Sequence, residues 1–158
     1  RAADSASMTG ANFSSWFSQD EGTVFSEYAV QRLGLYTPWH ISIASGAATD
    51  RIQHTATSSG SGHGTLVLAG GVTQCSISAG TPSITGVTKQ ASAFQANNFA
   101  AAIHGLPSIT DTAGAIPQNL ARLSIGSRNT GEHLNGHIRR LAYYPKRVSD
   151  AQLQVLTA

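Results

Sequence analysis

The sequence predicts an all-β fold: a two-sheet antiparallel β-sandwich finished by one short C-terminal helix. Three observations carry this expectation. Apolar residues recur with a period of two in most segments. Turn-forming clusters interrupt the chain at short intervals, as "SGAATD", "SSGSGHG", "SAGTPSITG", "QANN" and "HGLPS". A full set of helix-start signals comes late, just after Pro145.

Taken in order, "RAADSASMTG" has no apolar stretch that would make it a secretory leader, and it reads as a polar linker or tail over residues 1–10. Its start at Arg1 and the lone Met8 suggest a piece of something larger, with one domain over 11–158. "GTVFSEYAV" is rich in β-formers, and Trp16 before it lies in a strand-like segment as a core residue. In "WHISIAS", Trp39, Ile41 and Ile43 alternate with His40, Ser42 and Ala44. In "DRIQHTAT", Ile52 and Ala56 alternate with Arg51, Gln53 and Thr55. Both read as half-buried antiparallel strands. "GTLVLAGG" is apolar on both faces, as a central strand would be. In "VTQCSISAG", Cys75, Ile77 and Ala79 share a face, which makes Cys75 a small buried hydrophobe.

"VTKQASAFQ" and "NNFAAAIHG" flank "QANN" as a hairpin. "AAAI" has helical propensity, but Asn98 and Gly105 leave too little room for a helix. Residues 106–119 show no period and read as a long loop between the sheets. In "LARLSIGSR", Ala121, Leu123 and Ile125 alternate with Arg122 and Ser124. In the last strand Ile138 and Leu141 are three apart, so both face inward only if a β-bulge falls at Arg139–Arg140. Leu141 and Tyr143 then share a face, and Pro145 ends the strand. Ser149 and Gln152 have the spacing of a capping box, Asp150 suits the first turn, and Leu153 and Leu156 would dock the helix as a lid on an edge or end of the core.

A chain of 158 residues supports a single core. Only 11% of it is charged, against about 25% in ordinary globular domains. That gives a neutral polar surface of the kind common in β-rich extracellular or particle-borne proteins. One cysteine cannot form an internal disulfide and leaves the redox compartment open. No run approaches the roughly 18 apolar residues that span a bilayer, so no membrane partner is expected. The net charge is +2, and six of the ten Lys and Arg (Arg122, Arg128, Arg139, Arg140, Lys146 and Arg147) lie after residue 120.

The terminal run "LNGHIRRLAYYPKRVSDAQLQVLT" resembles the C-terminal signature of laminin-G-like, concanavalin A-like lectin/glucanase domains, especially those of bacteriophage and prophage particle proteins. "TGANFSSWFSQDEGTVFSEYAV" is similar to the family's opening strands, and "LARLSIGSR" to its penultimate one. "AFQANNFAAAIHG" resembles a family hairpin, with His104 in place of its usual Asn. The resemblance implies a jelly roll that binds a ligand, often a sugar, at one rim or on the concave face, without implying catalysis. The expected function is a non-catalytic carbohydrate-binding or attachment module of a phage tail protein, located on a virion or extracellular particle surface. Its partners would be a host-surface polysaccharide and the rest of a larger particle protein. The alternative is a purely structural assembly domain that forms a homo-oligomer. A polysaccharide hydrolase is a weaker third reading.

The residues themselves separate these readings. A glycosidase needs two carboxylates about 5–5.5 Å or 6.5–9.5 Å apart, and no strand carries a Glu-x-Asp-x-Glu array; no catalytic residue is assigned. The six histidines form no His-x-x-x-His pair and read as scattered surface or rim residues, so no metal ligand or cofactor is assigned. Calcium lacks an Asp-x-Asp-x-Asp run. The basic terminal strand with Tyr143 and Tyr144 has a nucleic-acid reading, but a net charge of +2 is a small field, and edge arginines that discourage strand pairing explain it better. Flat aromatic faces stack on sugars, which makes Trp39 and Tyr36 candidate ligand contacts, with core packing the weightier reading for Trp39. Asn97, Asn98, Arg128, Asn129 and His133 sit in loops and could supply hydrogen bonds, against ordinary turn chemistry.

Overall fold

A computed structural model describes residues 6–31, 35–56, 62–80, 86–128 and 131–158. Its strands are β1 (Ala6–Thr9), β2 (Glu21–Val30), β3 (Trp39–Ile43), β4 (Arg51–Ala56), β5 (His63–Ala69), β6 (Val72–Gly80), β7 (Val87–Gln95), β8 (Phe99–Ile103), β9 (Ile109–Asp111), β10 (Leu120–Ile125) and β11 (Gly136–Tyr144). Two helices, α1 (Ala11–Ser14) and α2 (Asp150–Thr157), complete the described elements. The strands form a six-stranded sheet, β1-β10-β3-β4-β5-β6, and a five-stranded sheet, β11-β2-β7-β8-β9. Every pairing is antiparallel.

The alternating patterns translate directly into the main core. Trp39, Ile41, Ile52, Val67, Cys75, Ile77 and Leu123 come from the inner face of the six-stranded sheet. Val24, Phe94, Phe99 and Ala101 come from the five-stranded sheet. Cys75 is buried, and its burial pushes the thiol up to about 12, so it is an inert packing residue. Gly22 belongs to this packing: a Cβ there would lie 2.6 Å from the Phe94 ring and 2.8 Å from that of Tyr143.

The predicted bulge is present. Ile138 pairs with Tyr28 and Arg140 with Glu27, which leaves Arg139 as the extra residue. Leu141 and Tyr143 then pack against the main core. A second bulge escapes the simple alternation. The register slips between Leu120 and Arg122, so Leu120 joins Leu123 in the core.

Helix α2 starts on the expected capping box: Ser149 N donates to Gln152 Oε1 at 2.9 Å, and Gln152 N donates to Ser149 Oγ at 3.3 Å. Its place is not the edge or end of the core. It lies across the outer face of the five-stranded sheet, where Leu153 packs with Phe25, Ala91, Ala93, Ala100 and Ala102. The alanines of β7 and β8 are small because a helix must approach that face. Thr23 fastens the approach, donating to Lys146 O at 2.8 Å and accepting from Val148 N at 3.1 Å.

Three further expectations change. Ala6–Thr9, inside the span read as a tail, pairs with β10 at a sheet edge. Trp16 follows helix α1 in a turn and is not in a strand; its ring meets that of Tyr143 edge-on at 4.9 Å. The 106–119 segment contains β9, which pairs with β8. Among the described residues, no helix is long and apolar enough to cross a membrane.

Because Leu153 is fully buried, Leu153→Ala should destabilise the fold by about 2–5 kcal/mol. Ser149→Ala, which removes only the cap, should cost about 1 kcal/mol. Urea denaturation measures both. Equal effects would show that α2 is peripheral to the fold.

Candidate functional site on the open face of the six-stranded sheet

Helix α2 lies on the outer face of the five-stranded sheet; the open face of the six-stranded sheet is its outer one, turned away from the core and crossed by no described helix. Strand register places two rows of side chains there. One row runs Ser124–His40–Gln53–Leu66 across β10, β3, β4 and β5. The next runs Arg122–Ser42–Arg51–Leu68. These are the residues that alternate with Trp39, Ile41, Ile52 and Leu123, which point into the core.

The rows are polar yet buried. His40 and Ser42 have no exposed surface, and Gln53, Ser124 and Arg51 retain 2%, 2% and 7%. Arg122 Nε donates to Ser124 Oγ at 3.2 Å, and an Arg51 guanidinium nitrogen donates to Ala48 O. Four buried polar atoms on this face, His40 Nδ1 and Nε2, Arg51 Nε and Gln53 Oε1, have no partner among the described residues. Each such atom carries a desolvation cost of about 1–3 kcal/mol unless something meets it. Burial, then the charges of Arg51, Arg128 and Arg122 in that order, lower the His40 imidazole to about 4. His40 is therefore a neutral group among three guanidiniums.

The loop after β10 brings in Arg128 and Glu132. Arg128 Nη2 and Glu132 Oε1 are 2.8 Å apart. Thr37 Oγ1 donates to Glu132 Oε2 at 2.8 Å, and Thr37 N donates to Glu132 O at 2.9 Å. Arg51 feels both: Arg128 weakens its hold on its proton, after burial, and Glu132 opposes that.

A second polar zone lies between the sheets; in it His54 Nε2 and His63 Nε2 have no partner among the described residues. His54 Nδ1 is 2.8 Å from Trp39 Nε1 and 3.0 Å from Ser26 Oγ. Indole N–H can only donate, so Nδ1 accepts and His54 is neutral with its proton on Nε2. Tyr28 Oη lies 2.5 Å from His63 Nδ1 and 3.3 Å from Gln90 Oε1. Thr65 and Ser92 hydroxyls meet at 2.5 Å. Burial holds His54 well below the ordinary imidazole range, and burial with the His104 charge brings His63 to about 4.

The structure relocates most of the sequence candidates. Trp39 has no exposed surface and gives its N–H to His54, so its ring has no free face for a sugar. Tyr36 is 2% exposed and packs with Tyr28 and Val30. Asn97 adopts a left-handed φ of 56° and exchanges two hydrogen bonds with Gly114, at 2.8 and 3.1 Å. Asn98 beside it donates to Gln95 Oε1 at 3.4 Å. That turn lies at the end of the sandwich opposite Arg128 and His133, so the seven candidates do not form one site. Arg128 belongs to the cluster just described, His133 is exposed, and Asn129 lies outside the described residues. The histidines are not all rim residues: His40, His54 and His63 are fully buried.

Sequence reasoning missed His40, Arg51, Gln53 and Arg122 as site residues. The signal was in the alternation of "WHISIAS", "DRIQHTAT" and "LARLSIGSR", whose polar positions line up once β3 lies between β10 and β4. The carboxylates are dispersed: Glu21 accepts from Arg147 N at 2.9 Å, Asp50 from Gly70 N at 2.8 Å and Asp111 from Ala113 N at 3.1 Å. Among the described residues, no group of three or more His, Cys, Asp and Glu converges as a metal site.

No family model matches the chain, and no curated protein does. Solved structures do resemble it. The CBM40 of Ruminococcus gnavus IT-sialidase, solved with α2,3 sialyllactose, superposes with a TM-score of 0.77 at 12% identity, over 99% of this chain and 94% of that one. NanB sialidase from Streptococcus pneumoniae gives 0.74 at 13% identity over the whole chain, which spans 27% of the sialidase's length. Domain 4 of AbnA, a GH43 extracellular arabinanase from Geobacillus stearothermophilus solved with arabinotriose, gives 0.67 at 12% identity, over 89% of this chain and 68% of that one. The fold is a two-sheet antiparallel jelly roll.

Folding lowers the proton affinity of His40, His54 and His63, so between pH 6.5 and about 4 the unfolded chain binds more protons than the folded one. Stability should be full above about pH 6.5 and fall on acidification, by up to about 1.4 kcal/mol per pH unit for each histidine. Urea midpoints at pH 7.5, 6 and 5 test this, and a flat series would refute it.

Proposed function

We propose that the chain is a non-catalytic carbohydrate-binding module that takes an acidic glycan on the open face of the six-stranded sheet. The observation that carries this reading is the row Arg122–Ser42–Arg51 beside His40, with Arg128 close to both and four buried polar atoms that lack partners among the described residues. Guanidiniums present paired N–H groups that match a carboxylate in shape and charge. Ser42, Ser124 and Gln53 offer hydroxyl and amide groups suited to sugar hydroxyls. The likeness to a CBM40 solved with α2,3 and α2,6 sialyllactose supports an acidic sugar as the ligand. The dispersed carboxylates favour binding over hydrolysis.

The resemblance of the terminal strand, bulge and helix to phage particle proteins supports an attachment role, with the module displayed on a virion or particle surface and a host polysaccharide as its partner. One observation favours an assembly role as a second reading. An apolar groove of about 400 Å³ runs along α2 between Tyr144, Val148, Ala151, Val155 and Leu156, and Val155 is 77% exposed there. Light scattering distinguishes the two: a stable multimer lost on Val155→Asp favours assembly, and a monomer that binds glycan favours the module alone.

Arg122→Ala should weaken binding of 3′-sialyllactose by about tenfold or more, the loss of one charge-assisted contact. The thermal midpoint should stay where it is, because Arg122 is only half-buried. Isothermal titration against sialyllactose and lactose measures this. Equal affinity for the two sugars, or no binding across a panel of acidic glycans, refutes the acidic-glycan reading.

A further inference from the structure

We propose that Glu132 is a built-in competitor of the acidic ligand, a carboxylate of the chain itself that occupies the arginine cluster until a ligand anion displaces its influence. The inference rests on the reading of the open face given above and adds a residue that sets the site's affinity and charge preference.

The geometry is specific. Glu132 takes a left-handed φ of 52°, which costs a non-glycine residue energy and persists only when surrounding contacts hold it. Those contacts are present. The backbone carbonyl accepts from Thr37 N at 2.9 Å, one carboxylate oxygen accepts from Thr37 Oγ1 at 2.8 Å, and the other lies 2.8 Å from Arg128 Nη2. The Glu132 side chain is 10% exposed, against 34% for Arg128, so the carboxylate is the more enclosed partner. Its charge also reaches Arg51 in the sheet row beneath.

Asp50, although next to Arg51 in sequence, is turned to Gly70 N and does not serve this role. Among the described residues, the patch therefore holds Arg51, Arg122 and Arg128 against one carboxylate. A ligand carboxylate arriving there meets arginines already partly compensated. It gains less than it would from free guanidiniums, because binding shifts only by the difference between the two pairings.

Glu132→Gln tests this. The amide keeps the size of the side chain and an oxygen to accept from Thr37, and it removes the charge. Sulfate, titrated by NMR on the open-face amides, is a probe that does not depend on sugar recognition. The expected result is sulfate and 3′-sialyllactose each bound about three- to tenfold more tightly by Glu132→Gln, the range of a partly exposed ion pair, with lactose unchanged. Unchanged or weaker sulfate binding overturns the competitor role and makes Glu132 a positioning residue for Arg128. Tighter sulfate with no sialyllactose binding in either form keeps the competitor and overturns the acidic-glycan reading instead. An equal gain for lactose and sulfate overturns the competitor role, because charge would then not be what changed.

Discussion

The central strands of the five-stranded sheet, β2, β7 and β8, are buried on both faces, and most of the molecule's organisation follows from that constraint. One side packs on the six-stranded sheet and the other accepts α2. Strands so enclosed cannot alternate polar and apolar residues. β2 is buried through most of its length and β8 throughout, and β8 is a run of alanines between two large residues because a helix needs a close approach. The capping box, the Thr23 clamp and Leu153 serve the same end, holding a short helix that would be marginal alone. The outer face of the six-stranded sheet carries no described helix, and the polar side chains on it are themselves buried.

Buried polar groups occur in two places, between the sheets and on the outer face of the six-stranded sheet. Between the sheets, Ser26 and Trp39 meet His54 and Tyr28 meets His63 and Gln90, and the Trp39 N–H fixes the His54 tautomer. These contacts tie the two sheets together, although His54 Nε2 and His63 Nε2 have no partner among the described residues. On the open face, His40, Arg51 and Gln53 keep atoms without partners among the described residues. Native chains rarely leave such groups unmet, and a cluster of them beside like charges is a poor way to stabilise a sheet.

The strands, the terminal bulge and the capped helix were legible because each depends on residues close in sequence. Ile138 and Leu141 announce the bulge by their spacing, and Ser149 and Gln152 announce the cap. Where α2 docks was not legible, since the alanines that receive it lie about 50 residues earlier. The candidate site was half visible. The polar positions of three strands could be read from alternation, but their convergence depends on β3 lying between β10 and β4, two strands far from each other in the chain. Trp39 shows the same limit from the other side. It is on the right strand, next to His40, yet one residue of pleat sends its ring to the core. The leftover alternation at Ala121 hid a bulge, because Leu120 gave no spacing conflict strong enough to reveal it.

Charge density along a sequence is a poor guide to charge density in space. The basic run at 139–147 is the conspicuous one, and the fold disperses it. Arg139 faces Glu27 at 3.8 Å, Lys146 faces Glu21 at 3.7 Å, and Arg147 holds Asp150 at 2.6 Å. Arg140 stacks over the Phe25 ring at 5.5 Å. These cations line an edge strand and its exit, where they satisfy neighbours and blunt edge pairing. Arg51, Arg122 and Arg128 come from two strands and a loop, and no window of the sequence contains all three. Antiparallel register sets the first two on either side of Ser42, and the Thr37–Glu132 contacts bring the third to them. A field focused on buried, unmet polar atoms discriminates between ligands; the same charge spread along a solvated edge does not.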